Sequence, residues 1–301
     1  MAILIDPPRW PAHGTHFSHL VSDASLAELH EFAARAGIPE RAFDLDHYDV
    51  PAARYQELVD RGAIEVSGGV LVRRLAASGL RIPARRRSSK LETVLLHHWE
   101  RLLPGRPELG RELVERWGEA HRHYHDRTHL LAVLEAVRTL LGAGEDPGPE
   151  PRALWFAAWF HDAVYNGAAG RDEEESARLA GELLGRAGCR RQEIDETVRL
   201  VLLTATHRPE DLDRPGALLC DADLSVLGRD AAGYRDYLQA VRREYAHVPD
   251  AGFAAGRAAV VRRLLALDPL YRTATARRLW QVQAQANLAG ELQSLGFSPG
   301  H

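Results

Sequence analysis

Histidines and aspartates set among strongly apolar residues are the first feature of this sequence with chemical consequence. Four short stretches carry them: HRHYHDRTHLLAV (121–133), WFHDAVY (159–165), TATHRP (204–209) and CDADLSVLG (220–228). Burying a charge or an imidazole costs free energy unless it is paired or bound to metal. Several such groups in one apolar region therefore point to a shared site. WFHDAVY is the most informative. Adjacent residues on a helix point about 100° apart, yet at a helix end two neighbours can still converge on one ion. There His161 would supply a neutral imidazole nitrogen and Asp162 a carboxylate oxygen, a mixed ligation that suits manganese, iron, nickel, cobalt or zinc. A His-Asp pair alone is no motif, and the chain has a second one at His125-Asp126. The apolar LWFAAWF ahead of His161 and the turn after Asp162 mark the first pair out.

Positioning such groups falls to helices. Apolar residues recur three and four apart at Leu130, Val133, Leu134, Val137 and Leu141, at Ile194, Val198, Val201 and Leu202, and at Val260, Val261, Leu264 and Leu265, which predicts amphipathic helices. Pro107, Pro149, Pro209 and Pro249 fall between such segments. Eight or more helices and no convincing hairpin are expected in this part. Ahead of it, strand and helix signals alternate. AILID (2–6) reads as a buried strand stopped by Pro7 and Pro8. Ser25 is placed to cap a helix, with Glu28 three residues on and Gly37 as its stop. A second helix is expected from Pro51 to Gly62, then a strand at AIEV (63–66) and a helix at VLVRRLAASG. RIPARRRSSK (81–90) is basic and lacks apolar periodicity, as an exposed linker does. The organisation expected is a small α/β domain over 1–82, a linker over 83–90 and an all-helical domain over 91–301.

Composition bounds the function. The 45% hydrophobic and 27% charged content is that of a soluble globular protein. A formal charge of -4 supplies no global basic field for nucleic acid or anionic lipid. Cys189 and Cys220 form no CxxC pair, so neither a disulfide framework nor a zinc ribbon is expected. MAILIDPPRW has no basic region leading into a long apolar run, and no apolar run reaches the ~20 residues of a membrane helix. A cytoplasmic location follows as the expectation. There is no P-loop, Gly-rich dinucleotide fingerprint or G-x-S-x-G elbow.

The order His, then His-Asp, then Asp on successive helices resembles the HD superfamily of metal-dependent phosphohydrolases. RHYHDRTHL, WFHDAVY, EESA, TATH, DADLSVLG, EYAHVPD, FAAGR and a late Ala-Asn-Leu with Glu resemble, more closely, one bacterial branch known only as predicted HD phosphohydrolases. The similarity covers about residues 91–295. It implies an all-helical bundle with the metal at its centre. In that superfamily the first ligand His opens a helix and an aliphatic residue follows four positions later, which selects His129 (with Val133) over His125. The last ligand usually stands as Ala-Asp before an apolar residue, which selects Asp223 over Asp221. The implied ligand set is His129, His161, Asp162 and Asp223, for Mn, Fe, Co, Ni, Zn or Mg, with one ion or two. Two-metal members add ligands from the helices after the dyad, which brings in His207 and Glu173 or Glu174. Asp172 stands where the family has Asn, and an acid-rich first helical turn is an equal reading of Glu173 and Glu174. His125, one turn before His129, is expected beside the ligands or against substrate.

Hydrolysis of a phosphate ester or anhydride, of a nucleotide or another small phosphorylated metabolite, is the activity this resemblance implies. A bound divalent ion acidifies a water and polarises a phosphoryl oxygen. Asp162, His125, Glu173 and Glu174 are the candidate catalytic groups. Arg122, Arg127 and Arg257, with His207, are the candidate substrate contacts, since guanidinium matches phosphate oxygens bidentately. Two other readings remain: a di-iron oxygenase of the inositol-oxygenase type, and a non-catalytic metal- or nucleotide-binding regulator. Residues 2–79 resemble a small uncharacterised bacterial domain of unknown function. Its polar residues Asp6, Arg9, His13, His19, Asp23, His47, Tyr48 and Asp49 fall at strand ends and turns, where sites and capping chemistry both occur. A ligand, a protein partner or a second copy of the chain is expected to bind there.

Overall fold

The structure, a computed structural model, describes residues 2–12, 14–80, 88–168 and 170–296. Its contacts divide the chain into two units, Met1–Arg87 and Ser88–His301.

The first unit is a twisted mixed sheet with helices. Its strands are β1 (Ile3–Ile5), β2 (Trp10–Ala12), β3 (Thr15–Ser22), β4 (Phe43–Asp44), β5 (His47–Pro51) and β6 (Ile64–Glu65). They are ordered β4-β5-β3-β1-β6, with β2 paired to the outer part of β3. Only β1 and β6 run parallel. Helix α1 (Leu26–Arg35) begins where the Ser25 side chain accepts from the Glu28 backbone N–H, and Gly37, at φ +67°, follows its end. Helices α2 (Tyr55–Asp60) and α3 (Gly68–Ala77) complete the unit. Alternation sets two faces. Ile3, Ile5, Leu20, Tyr48 and Val50 pack with Leu29, Phe32 and Leu58, while Leu4 and Val21 pack with Leu71 and Leu75 of α3. Two expectations are corrected and one feature is added. Pro51 ends β5, opposite Phe17, and the second helix starts at Tyr55 after a 3-10 turn over Ala52–Arg54. The β2–β3 and β4–β5 hairpins went unread. Ser88–Lys90, assigned to the linker, open a helix, while residues 81–87 of that segment lie outside the described residues, as does His13.

The second unit is built of helices and has no strand among its described residues. Its helices are α4 (Ser88–Leu102), α5 (Pro107–Arg116), α6 (Arg127–Gly142), α7 (Pro151–Phe160), α8 (Arg171–Arg186), α9 (Arg191–Leu203), α10 (Arg214–Asp223), α11 (Ala231–Glu244), α12 (Asp250–Leu265), a one-turn α13 (Ala274–Ala276) and α14 (Val282–Ser294). Helix α7 is the central one. Ala153, Leu154 and every residue from Phe156 to Phe160 are buried, and a helix apolar all round must lie inside a bundle. Its own Trp159 and, from neighbouring elements, Trp99 and Trp117 are fully buried. The indole of Trp117 donates to the Trp159 carbonyl at 3.0 Å and that of Trp99 to the Arg106 carbonyl at 2.9 Å, so neither buried N–H is left unpaired. The C-terminal end of this central helix is where the His-Asp dyad emerges.

Candidate metal centre

Three helix ends meet at one point. At the start of α6, the Asp126 side chain accepts from the backbone N–H groups of Thr128 and His129, which fixes the first turn and turns His129 inward. At the end of α7, His161 is the C-cap residue and its Nδ1–H donates to the Ala158 carbonyl at 3.0 Å. That bond leaves the Nε2 lone pair directed away from the helix. At the end of α10, Asp223 is the last helical residue. His129 Nε2 lies 3.1 Å from His161 Nε2 and 3.1 Å from Asp223 Oδ1. His161 Nε2 lies 3.6 Å from Asp223 Oδ1 and 3.3 Å from Asp162 Oδ2, which is 3.9 Å from His129 Nε2. Two ring nitrogens and two carboxylates thus converge. One donor atom from each of His129, His161 and Asp223 lies within 4.8 Å of the others, a spacing a single divalent ion can span.

The local field favours positive charge. Burial works against a charged imidazole at His161, yet Asp162 and Asp223 raise its pKa to about 9. Burial likewise opposes the Asp223 carboxylate, which His161, His129 and His207 nevertheless hold well below the carboxylate range. His129 is pushed below the usual imidazole range, first by burial and then by His161 and His125. The carboxylate pair that would favour a proton on one Nε2 equally favours a metal dication, so the donor set fits the ion that the sequence implies.

The other expected residues separate clearly. His125 stands outside the cluster, with Nε2 4.0 Å from Asp162 Oδ2. Its Nδ1 donates to Glu244 Oε1 at 2.6 Å and its ring stacks on Tyr165 at 4.1 Å. His207 adopts φ +53° and places Nε2 2.7 Å from the second oxygen of Asp223. Glu173, in the first turn of α8, reaches back to accept the Gly170 backbone N–H at 2.6 Å and also faces the adjoining cavity. Glu174 is exposed on the first turn of α8. Asp221 accepts from the backbone of Arg272 and Thr273 and from the Thr273 hydroxyl, and burial pushes its carboxyl up to about 6.

Arg122 and Arg127, expected to meet substrate, are not among the described residues that line the cavity. The Arg122 guanidinium is buried and donates to the carbonyls of Asp162 (2.7 Å), Ala163 (3.2 Å) and His125 (3.1 Å). It satisfies carbonyls beyond the end of α7 and thereby holds the dyad's turn. Arg127 donates to the Val114 carbonyl and packs so closely on Gly118 that a Cβ there would meet its guanidinium at 2.4 Å. Arg257 does line the cavity, but it forms a buried bidentate pair with Glu291 at 2.6 and 3.0 Å. Sequence reasoning missed Glu244. This one carboxylate accepts the backbone N–H groups of His123, Tyr124 and His125 as well as the His125 ring. Burial resists its charge, but these bonds hold it well below the usual Glu range. The only signal was its place in EYAHVPD.

The cavity beside the cluster measures about 490 Å³. His125, Asp162, His207 and Asp223 form its polar floor, and Tyr124, Tyr165, Tyr245 and Phe253 supply aromatic walls.

Comparison with known proteins places only the first unit. The family described as Protein of unknown function (DUF4031) matches residues 3–78, to which that unit is therefore similar. No curated protein and no solved structure matches the chain. Among the described residues no helix is long and apolar enough to cross a membrane.

Proposed function

We propose that the helical unit is a metal-dependent phosphohydrolase of the HD superfamily, acting on a small phosphorylated metabolite such as a nucleotide. The observation that carries this reading is the convergence of His129, His161, Asp162 and Asp223 beside a cavity large enough for such a molecule, with Asp162 and Asp223 on its floor. A divalent ion held by these four groups would supply Lewis-acid charge and an acidified water. The chain's own residues do the rest. Asp162, which lines the cavity, would orient the attacking water by hydrogen bonding. His125 faces the same cavity with its Nε2, while Glu244 holds Nδ1–H. Burial lowers the His125 pKa, but the Glu244 bond and the Asp162 charge raise it above the ordinary imidazole value, which suits a proton donor to a leaving oxygen near neutral pH. His207 supports Asp223. The aromatic walls match a base or another flat group by stacking.

The test is a screen of phosphorylated metabolites with chelator-stripped protein re-supplied with Mn, Fe, Co, Ni, Mg or Zn in turn. Turnover should require metal, and Asp162→Ala should abolish it with helical circular dichroism unchanged. Turnover undiminished in chelator or in that variant rejects the proposal. Dioxygen consumption with iron in place of phosphate release would favour the oxygenase reading.

A further inference from the structure

The first unit carries a second convergence of histidine and carboxylate, on one face of its sheet. His19 on β3 lies directly opposite Asp49 on β5. His47, two residues before Asp49, therefore shares the face with both, since side chains alternate with period two. Leu4 and Val21 belong to the same face and are covered by α3. Beyond the start of α3 the face continues as histidine and aspartate. One donor atom from each of His19, His47 and Asp49 lies within 4.8 Å of the others, and His47 Nε2 is 3.4 Å from Asp49 Oδ1. Tetrahedral bonds of ~2.0–2.2 Å would put ligand atoms ~3.3–3.6 Å apart.

Each ring is oriented by its own buried carboxylate. His19 Nδ1 lies 3.0 Å from Asp6 Oδ2, and the His19 backbone N–H donates to Asp6 Oδ1 at 2.6 Å. His47 Nδ1 lies 2.6 Å from Asp46 Oδ1. A carboxylate on Nδ1 fixes that nitrogen as the N–H and leaves Nε2 as the basic, ligating nitrogen, the arrangement found behind metal-bound histidines. Two such pairs on rings whose centroids are 4.9 Å apart concentrate negative charge around two imidazoles, which favours a dication between them. Asp6 and Asp46 side chains are 5% and 0% exposed, whereas Asp49 is 45% exposed, so the cluster is rigid at its back and open to solvent at its front. Trp10 flanks the opening, its ring 5.3 Å from that of His19.

We propose that His19, His47 and Asp49 form a transition-metal site on the sheet of the N-terminal unit, with Asp6 and Asp46 as positioning residues. Two imidazoles and one carboxylate suit zinc or ferrous iron, and three protein ligands leave a coordination position for water or an anionic ligand.

Zn(II) and Co(II) titrations of the full chain test this, followed by metal content after gel filtration and, for Co(II), by visible absorption. His161→Ala/Asp162→Ala removes the helical centre, so the experiment does not depend on the phosphohydrolase reading. In that background one equivalent of metal should remain. Adding Asp49→Asn, a change at the exposed front of the site, should weaken binding at least tenfold, and His19→Gln should abolish it. Asp6→Asn should weaken Co(II) binding by roughly 10–100-fold, as loss of an orienting carboxylate does, with far-ultraviolet circular dichroism unchanged. The proposal is overturned if the His161→Ala/Asp162→Ala protein binds neither ion, or if it binds them with the same affinity after Asp49→Asn and His19→Gln.

Discussion

At the scale of single residues, the informative pair is His125 and Glu244. Because Glu244 and Asp162 outweigh burial and raise the His125 pKa, the favourable pairing is fully present below the unfolded imidazole value and is lost as pH rises through the raised folded value. A proton-donating role then gives kcat an alkaline limb at that raised pKa. His125→Gln should lower kcat by roughly 10²–10⁴-fold, the usual contribution of a positioned acid. Glu244→Gln should lower it less and move the alkaline limb to lower pH, which a pH–rate profile reads directly; an unmoved limb would remove His125 from the chemistry. That His129, His161, Asp162 and Asp223 would lie together was legible in the sequence because each stands in a run too apolar to bury it alone. Glu244 was not. A Glu in the last turn of an amphipathic helix reads as solvent-facing, and its work here is to gather three backbone N–H groups some 120 positions upstream. Arg122 misled for a related reason: guanidinium suits phosphate and backbone carbonyls alike, and only the tertiary structure distinguishes them.

Among the elements, α10 carries a built cap at its start and Asp223 at its end. Asp213 caps it through the Gly216 N–H and pairs with Arg199 at 2.7 and 2.9 Å. Burial raises the Asp213 pKa, but Arg199 and the cap bond carry it below the ordinary Asp value. A depressed carboxyl stabilises the fold above its unfolded pKa and loses that contribution as pH falls through the folded one. Asp213→Ala should therefore cost about 1–2 kcal/mol at pH 7, typical of a lost cap, and the gap from the parent protein should narrow in urea melts as pH falls through the depressed Asp213 pKa. Gly216→Ala should cost about 1–3 kcal/mol by overpacking, since its Cβ would lie 2.2 Å from Asp213 Oδ2 and 2.6 Å from Leu203 Cδ2. A variant as stable as the parent would mean that Asp213 moves aside freely. The helical periodicities of α6, α9 and α12 were legible, as was Ser25 as a cap, whereas α10 carries no such marked periodicity. The two hairpins were not, because Pro11 lies within β2 and β3 alternates histidines and serines with apolar residues. Proline is tolerated on an edge strand, but in sequence it reads as a stop.

The whole molecule is two units, each with its own hydrophobic core. The core of the helical unit runs from Leu91 to Leu292, and the groups of its candidate metal centre lie on α6, α7 and α10 or just beyond them. No group placed in the proposed chemistry comes from the first 87 residues. A fragment of residues 88–301 should therefore fold alone, with helical circular dichroism and one cooperative thermal transition. Its kcat/KM should match the full chain within a factor of about three, which is less than 1 kcal/mol of transition-state stabilisation. The first unit faces a different balance. At under 90 residues its core is small, and domains of that size often depend on a bound metal for part of their stability. Zinc at 100 times its Kd should add about 2.7 kcal/mol to whichever unit binds it. In the His161→Ala/Asp162→Ala chain that gain should appear only in the transition of the α/β unit, resolved by the loss of its sheet signal, and His19→Gln should erase it. A fragment of residues 88–301 that unfolds, or loses more than tenfold in kcat/KM, would show instead that the α/β unit takes part in the helical unit's work.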